Sequence, residues 1–253
     1  MRILQLGVGA VGEVIARAIA REDTVDEVVV ADIDGARVDE VAAKIGGKAR
    51  SLTLDVTDKA ALRRALADTD FAVNALLPQY NMRILELCLE TGTCYLDMAA
   101  DDDMPDEIAL DDEFRRAGLT ALVFFGIDPG ASDVFARTLY DQFDTVESLT
   151  VLDGDNATID GYEVAASFSP ATMIEEVLAA PPGFVNGEMV DRESLCFENS
   201  FEFDFPQPVG RLRVWNTDHE ESILMPRHLA GKGLRNANFY FSAYLSSKTY
   251  RCP

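Results

Sequence analysis

The first 125 residues alternate between two spacings of apolar side chains. Short apolar runs stand at 2–6 (RILQL), 27–32 (EVVVAD), 51–54 (SLTL), 70–77 (DFAVNALL), 94–97 and 120–125 (TALVFF). Between them, 11–21, 35–46, 58–67, 80–91 and 106–118 carry apolar residues at helical spacing. Short strands alternating with longer helices predict right-handed βαβ units on a parallel sheet. The expected class is α/β, a doubly wound sheet with ligands at the carboxyl ends of its strands.

The pattern changes after Gly126. GIDPGASD (126–133) predicts a turn into a helix over 131–143, followed by β-rich stretches at 146–153, 162–168, 195–205 and 210–216. One helix is expected among them at 170–179, opened by Ser169-Pro170 and stopped by APPG at 180–183. Residues 1–125 therefore read as one domain and 126–253 as a second, α+β domain.

LQLGVGAVGEVIARAIA holds Gly7, Gly9 and Gly12 in G-x-G-x-x-G spacing, after a strand and at the start of a helix. Gly7 permits a tight turn, Gly9 lets the backbone approach a diphosphate, and Gly12 lets helix and strand pack closely. The amides opening the helix, at Ala10, Val11 and Gly12, then meet the anion. Asp32 ends the second strand, twenty residues beyond Gly12. With this context the motif predicts a Rossmann dinucleotide-binding domain. A carboxylate at Asp32 accepts hydrogen bonds from ribose hydroxyls and repels a 2′-phosphate, which favours NAD over NADP; Arg37, five residues on, softens that repulsion. The competing reading of Asp32 is a loop cap. Asp55 and Val56 follow the third strand, where an adenine edge is expected; Asp55 serves equally well as the cap of the helix near Asp58.

Composition narrows the partners. Lys+Arg number 22 against 44 Asp+Glu, a formal charge of −22 spread along the chain. Such a field repels nucleic acid and anionic membranes. With only five lysines, it matches a halophile's surface; an acidic mesophilic protein is the alternative. No run is apolar enough to predict a membrane-spanning helix. The four cysteines lack metal-ligand spacing and read as reduced thiols, so a cytoplasmic location is expected.

Six segments, in order, carry a resemblance: GVGAVG (7–12), VNALLPQYN (73–81), GTCYLDMA (92–99), GIDPGASDVFA (126–136), FSPATMIEE (168–176) and NTDHEESILMPRHLAGKG (216–233). Together they resemble the saccharopine dehydrogenase-like family, which includes saccharopine reductases, lysine 6-dehydrogenase and carboxynorspermidine dehydrogenase. The resemblance implies a nucleotide domain, a mixed substrate domain, and hydride transfer between a nicotinamide, NAD or NADP, and the carbon of a C–N bond. It implies an amino-acid or polyamine substrate, with a homodimer as one assembly open to the chain. Ala75, Leu76, Leu77 and Pro78 match the stretch along the nicotinamide half. Asp97 matches the Tyr-x-Asp element and Asp128 the aspartate of G-x-D-P-G, both expected near the substrate amine. Family chains continue beyond the D-H-E-E segment, so the expectation at Pro253 is a fragment or a truncated product.

The residues themselves leave alternatives open. Asp97 and Asp128 follow strands, where a carboxylate suits an ammonium group or caps the next helix. His219, beside Glu220 and Glu221, is either an acid/base group or a structural hydrogen-bonder; His228 is a weaker candidate. Tyr80, Asn81, Tyr162 and Arg213 are possible substrate contacts or structural residues, and Trp215 reads as core. The run Asp101-Asp102-Asp103 reads as a solvated loop, and no metal site is expected. The alternative function is a non-catalytic dinucleotide-binding redox sensor or a remnant of such an enzyme.

Overall fold

In the computed structural model of the chain, residues 1–100, 103–157, 160–161, 168–194 and 199–242 are described. The backbone divides into two compact units, Met1–Ile127 and Asp128–Pro253.

The first unit carries six parallel strands: β1 (Arg2–Leu6), β2 (Glu27–Asp32), β3 (Ala49–Thr53), β4 (Phe71–Asn74), β5 (Cys94–Leu96) and β6 (Ala121–Leu122). Their order is β3-β2-β1-β4-β5-β6, the doubly wound arrangement expected. The helices are α1 (Ala10–Ile19), α2 (Gly35–Ile45), α3 (Lys59–Leu66), α4 (Asn81–Thr91), α5 (Met104–Ala109) and α6 (Asp111–Ala117).

Strand residues alternate between the two faces of the sheet. Ile3, Val28 and Val30 pack with Ala16, Val38 and Val41 of α1 and α2. Leu4, Leu6, Val29 and Ala31 pack with Leu62, Leu66, Ile84 and Leu85 of α3 and α4. Each buried Val, Leu or Ile side chain stabilises the fold by about 1.5–3 kcal/mol, which is why the central strands read as unbroken apolar runs. Asp34 caps α2 through the Arg37 amide (3.1 Å), and Asp58 caps α3 through the Ala60 and Ala61 amides (both 3.0 Å). Asp58, not Asp55, is therefore the cap of α3.

Two elements differ from the sequence expectation. The helix over 106–118 is two, because the chain turns at Leu110, which ends α5 and begins α6. The strand over 120–125 pairs only at Ala121–Leu122, and Phe124 beyond it is left-handed (φ +56°).

The second unit contains α7 (Ala131–Tyr140), β7 (Ser148–Gly154), α8 (Pro170–Leu178), β8 (Pro182–Val185), β9 (Glu188–Asp191), β10 (Ser200–Asp204), β11 (Arg211–Asn216), α9 (Glu221–Leu229) and β12 (Asn236–Ser242). Strand β12 runs parallel to β7 on one edge. Its other edge meets β8 at Ala237 and β11 at Tyr240 and Phe241, both antiparallel. Ala136 and Tyr140 of α7 and Met225 and Leu229 of α9 pack over Ala237 to form the core.

Helix α9, strand β12 and the β8–β9 hairpin were not expected from the apolar pattern. Pro226 inside α9 disguises it, since proline normally breaks a helix interior. Trp215 is half-buried rather than core. Residues 162–167 of one expected strand, Tyr162 with them, 195–198 of another, and Asp101 and Asp102 lie outside the described residues. Among the described residues no helix is long and apolar enough to cross a membrane.

Candidate functional site

At the end of β1 the chain turns at Gly7 (φ +84°). The Gly7 amide donates to the Ala31 carbonyl on the β2 side, and the Ala75 amide to the Leu6 carbonyl on the β4 side, both at 2.8 Å. The turn thus sits where the strand order reverses, between connections that leave in opposite directions. A Cβ at Gly7 would stand 2.7 Å from the Ala75 carbonyl oxygen, and one at Gly12 would overlap the carbonyl of Gly7. Both glycines serve close packing. Gly9 differs: its φ is −64°, and a Cβ there would meet nothing within 4 Å. It precedes α1 with no side-chain cap, so the first-turn amides of Ala10, Val11 and Gly12 have no partner within the helix. These amides sit at the positive end of the helix, beside the open space over Gly9.

A groove beside this loop is lined by Gly7, Ala31, Asp32, Ile33, Leu54, Asp55, Val56, Leu76 and Tyr80. Asp32 Oδ2 accepts the Val8 amide (2.9 Å) and Oδ1 accepts the Asp34 amide (3.1 Å). Asp32 is therefore both a loop tie and a groove wall. Asp55 Oδ1 accepts the Thr57 amide and hydroxyl (2.8 and 2.7 Å), bonds that hold its carboxyl below the usual range. Asn74 fixes the next segment: its Nδ2 donates to Asn81 Oδ1 (2.8 Å) and its Oδ1 accepts the Leu76 amide (3.2 Å). Ala75 and Leu76 lie against the glycine turn, Leu77 is exposed, and Pro78 begins a short 3-10 turn ending at Tyr80. Asn81 is buried and donates to the Ala99 carbonyl (2.8 Å), a structural role. Ile33, Leu54 and the groove position of Tyr80 were not legible in the motif; the signal was their place just after strand ends.

Arg37 does not stand free beside Asp32. Its Nε donates to the Val8 carbonyl (3.3 Å), its Nη1 to Glu40 (2.9 Å) and its Nη2 to Glu13.

Asp97 is 1% exposed. Its Oδ1 accepts the Phe124 amide at 2.6 Å, which holds the left-handed turn after β6. Beside it Glu107 is also buried, and burial, then the Asp97 charge, raise the Glu107 carboxyl to about 9.

The second unit gathers carboxyl groups around His219. The ring stacks on buried Phe239 (centroids 3.8 Å apart, planes 20°), and Nδ1 lies 2.5 Å from Glu221 Oε2 and 3.3 Å from Glu220 Oε2. Glu221, fully buried at the start of α9, also accepts the Ser132 hydroxyl (2.5 Å). Burial pushes the imidazole down, but Glu221 and then Glu220 and Glu176 carry it up to about 10. His219 is therefore an imidazolium at neutral pH. Burial raises Glu176 to about 7 and Asp133 to about 6, each offset in part by the His219 charge. Burial, and then the charge of Asp153, raise the Asp128 carboxyl to about 7, and burial raises Asp153 as well. Ligand atoms of His219, Glu220 and Glu221 converge within 4.8 Å of one another. Sequence reasoning reached Asp128 and His219 but missed Ser132 and Asp133, which stand on α7 in the same GIDPGASD segment as Asp128, and Asp153 and Glu176, which come from β7 and α8. Arg213 lies apart on β11, where Nη1 donates to Ser200 (3.0 Å).

A parallel sheet in this order, with a glycine turn and helix start at its switch point, defines a Rossmann-type dinucleotide-binding domain. The family model for the saccharopine dehydrogenase NADP binding domain matches residues 3–122. A carboxynorspermidine synthase of Vibrio cholerae is 30% identical over 250 residues, covering 87% of this chain. The chain spans 58% of the length of that relative. The apo saccharopine dehydrogenase (L-Glu forming) of Saccharomyces cerevisiae has a similar fold, with TM-score 0.75 at 20% identity over 96% of this chain and 55% of that one. The homospermidine synthase of Legionella pneumophila, in complex with NAD, gives 0.70 at 15% identity over 95% and 64%.

Proposed function

We propose that the chain belongs to an oxidoreductase that moves a hydride between a nicotinamide dinucleotide and the carbon of a C–N bond in an amino-acid or polyamine derivative. The carrying observation is the carboxyl cluster of the second unit, Asp128, Asp133, Asp153 and Glu176 around His219. A cationic amine is the ligand that such a cluster stabilises. The name of the Vibrio relative, a carboxynorspermidine synthase, agrees with a carboxylated polyamine.

The dinucleotide fits the first unit because the space over Gly9 is open and bordered by first-turn amides. Gly9, Ala10, Val11 and Gly12 hold the diphosphate, and Gly7 shapes the turn. Asp32 takes the ribose, Asp55 and Val56 border the adenine, and Ala75, Leu76, Leu77 and Pro78 follow toward the nicotinamide. Asp32 favours NAD over NADP. When bound, the nicotinamide supplies hydride chemistry. Asp128, its carboxyl raised by burial, manages the amine proton; His219, held charged by Glu221, donates rather than accepts. Asp97 supports the turn at Phe124 from beneath, as a positioning residue.

The test is nicotinamide absorbance with carboxylated polyamines, saccharopine and lysine, in both directions and in high salt. Steady turnover with one of them is expected. Dinucleotide binding without turnover on any of these amines would overturn the proposal. The dispersed charge of −22 supports a halophilic setting, in which salt screens the self-repulsion, and cysteines without metal or disulfide spacing agree with a cytoplasmic one. The melting temperature is then expected to climb steadily from low to molar KCl, and a flat profile counts against that setting.

A further inference from the structure

The peptide at Val8 joins two opposite charges. Its amide donates to Asp32 (2.9 Å), and its carbonyl accepts from Arg37 Nε (3.3 Å). Arg37 thus stands beside the same stretch of glycine loop as the carboxylate assigned to the ribose. A guanidinium in this place is the natural partner of a 2′-phosphate, whose oxygens it binds in forked pairs. In this chain the remaining guanidinium nitrogens already face carboxylates, Nη2 on Glu13 of α1 and Nη1 on Glu40 of α2 at 2.9 Å. Glu13 is itself only 13% exposed, and Lys44 closes the ring with bonds to Glu13 (3.1 Å) and Glu40 (2.9 Å). Each charge holds the next: the glutamates raise Arg37 and Lys44, and the two cations lower the glutamates.

We propose that Glu13 and Glu40 determine cofactor selectivity by occupying Arg37, so that this guanidinium beside the ribose subsite is withheld from a 2′-phosphate. This inference rests on the dinucleotide site assigned above. Asp32 rejects the 2′-phosphate directly, and the two glutamates reject it by competition. A phosphate that captured Arg37 would take from Glu13 its closest cation, leaving Lys44 (3.1 Å) and Arg17 (3.7 Å), and would add its charge beside Asp32. Selectivity is thus written in α1 and α2, outside the strand-end acid that usually reports it.

The test measures dissociation constants of NADH and NADPH by fluorescence titration on the full chain, for wild type and five variants. These are Arg37→Gln, Glu13→Gln, Glu40→Gln, the Glu13→Gln/Glu40→Gln double, and that double with Arg37→Gln. Circular dichroism verifies each fold, and Glu13→Ala with Glu40→Ala replaces the double if it does not fold. Wild type is expected to prefer NADH, and Arg37→Gln alone to leave the NADPH/NADH ratio within about twofold, because Arg37 is already engaged. The double variant is expected to shift the ratio toward NADPH by about tenfold, and adding Arg37→Gln to erase that gain. An unchanged ratio in the folded double variant overturns the inference, as does a gain that survives loss of Arg37. A selective loss of NADPH affinity in Arg37→Gln alone also overturns it, since the guanidinium would then have been free. If wild type binds neither dinucleotide, the site assignment beneath the inference fails first, and both fall.

Discussion

Placing a side chain at Gly9 separates binding from folding. The backbone there (φ −64°) suits any residue, and a Cβ meets nothing within 4 Å, so Gly9→Val costs the native state little. The loss of glycine's freedom in the unfolded chain contributes about 0.4–1 kcal/mol in favour of folding at compatible positions. A valine does, however, fill the space over the first-turn amides. A hydrogen bond from an amide to a charged group contributes about 1.5–3 kcal/mol. Pushing a diphosphate off two such amides therefore weakens binding by about 100-fold to 10,000-fold. Gly12→Ala is the converse case. Its Cβ would overlap the Gly7 carbonyl oxygen and stand 3.0 Å from the carbonyl carbon, so backbone must move. Overpacking of this kind costs about 1–3 kcal/mol, a fall of about 2–12 °C in Tm for a chain of this size. Calorimetric titration with NADH and thermal melts on the same samples read both quantities. Gly9→Val is expected to melt with wild type and bind no measurable NADH. Wild-type affinity in a folded Gly9→Val protein would refute the reasoning, and so would unfolding of Gly9→Val with Gly12→Ala intact.

Glu107→Gln tests the buried carboxyl pair. The Glu107 carboxyl lies above its unfolded value, so its stabilising contribution is complete below the ordinary carboxylate range and is lost as pH rises toward about 9. Wild type should lose several degrees of Tm between pH 6 and 9, with the glutamine variant flatter across that interval; parallel profiles would show that Glu107 does not carry the proton. His219→Gln leaves Glu221 buried without its cation and should cost about 3–5 kcal/mol in denaturant unfolding, most of it restored by Glu221→Gln in the same chain. Additive losses would show that the two groups are not a coupled pair. Asp128→Asn should lower turnover about 100-fold or more with unchanged NADH affinity, and full activity would remove Asp128 from the proton path.

The first unit was the more legible half because one physical rule governs it. Strands buried on both faces must be apolar, and helices covering them must be amphipathic, so the two spacings alternate along the chain. The glycine loop was legible for the same local reason: turn, approach and close packing each demand a missing Cβ within six residues, Gly7 to Gly12. Legibility fell where tertiary contacts decide. Leu110 splits a run of continuous helical pattern, and the left-handed Phe124 cuts β6 to two residues. Arg37 read as a free cation because Glu13, 24 residues earlier, touches it only after α1 and α2 pack. The carboxyl cluster was the least legible feature. Asp128, Asp133, Asp153 and Glu176 come from a turn, a helix, a strand and a second helix, and only folding makes them neighbours of His219.

Amide hydrogen exchange on the full chain, with and without NADH, tests most directly that the opening of α1 grips a dinucleotide. Slowed exchange is expected at residues 8–12, with lesser protection at 32–34, 54–56 and 75–77. Exchange unchanged at 8–12 while calorimetry registers binding would contradict the account, because the dinucleotide would then be held elsewhere.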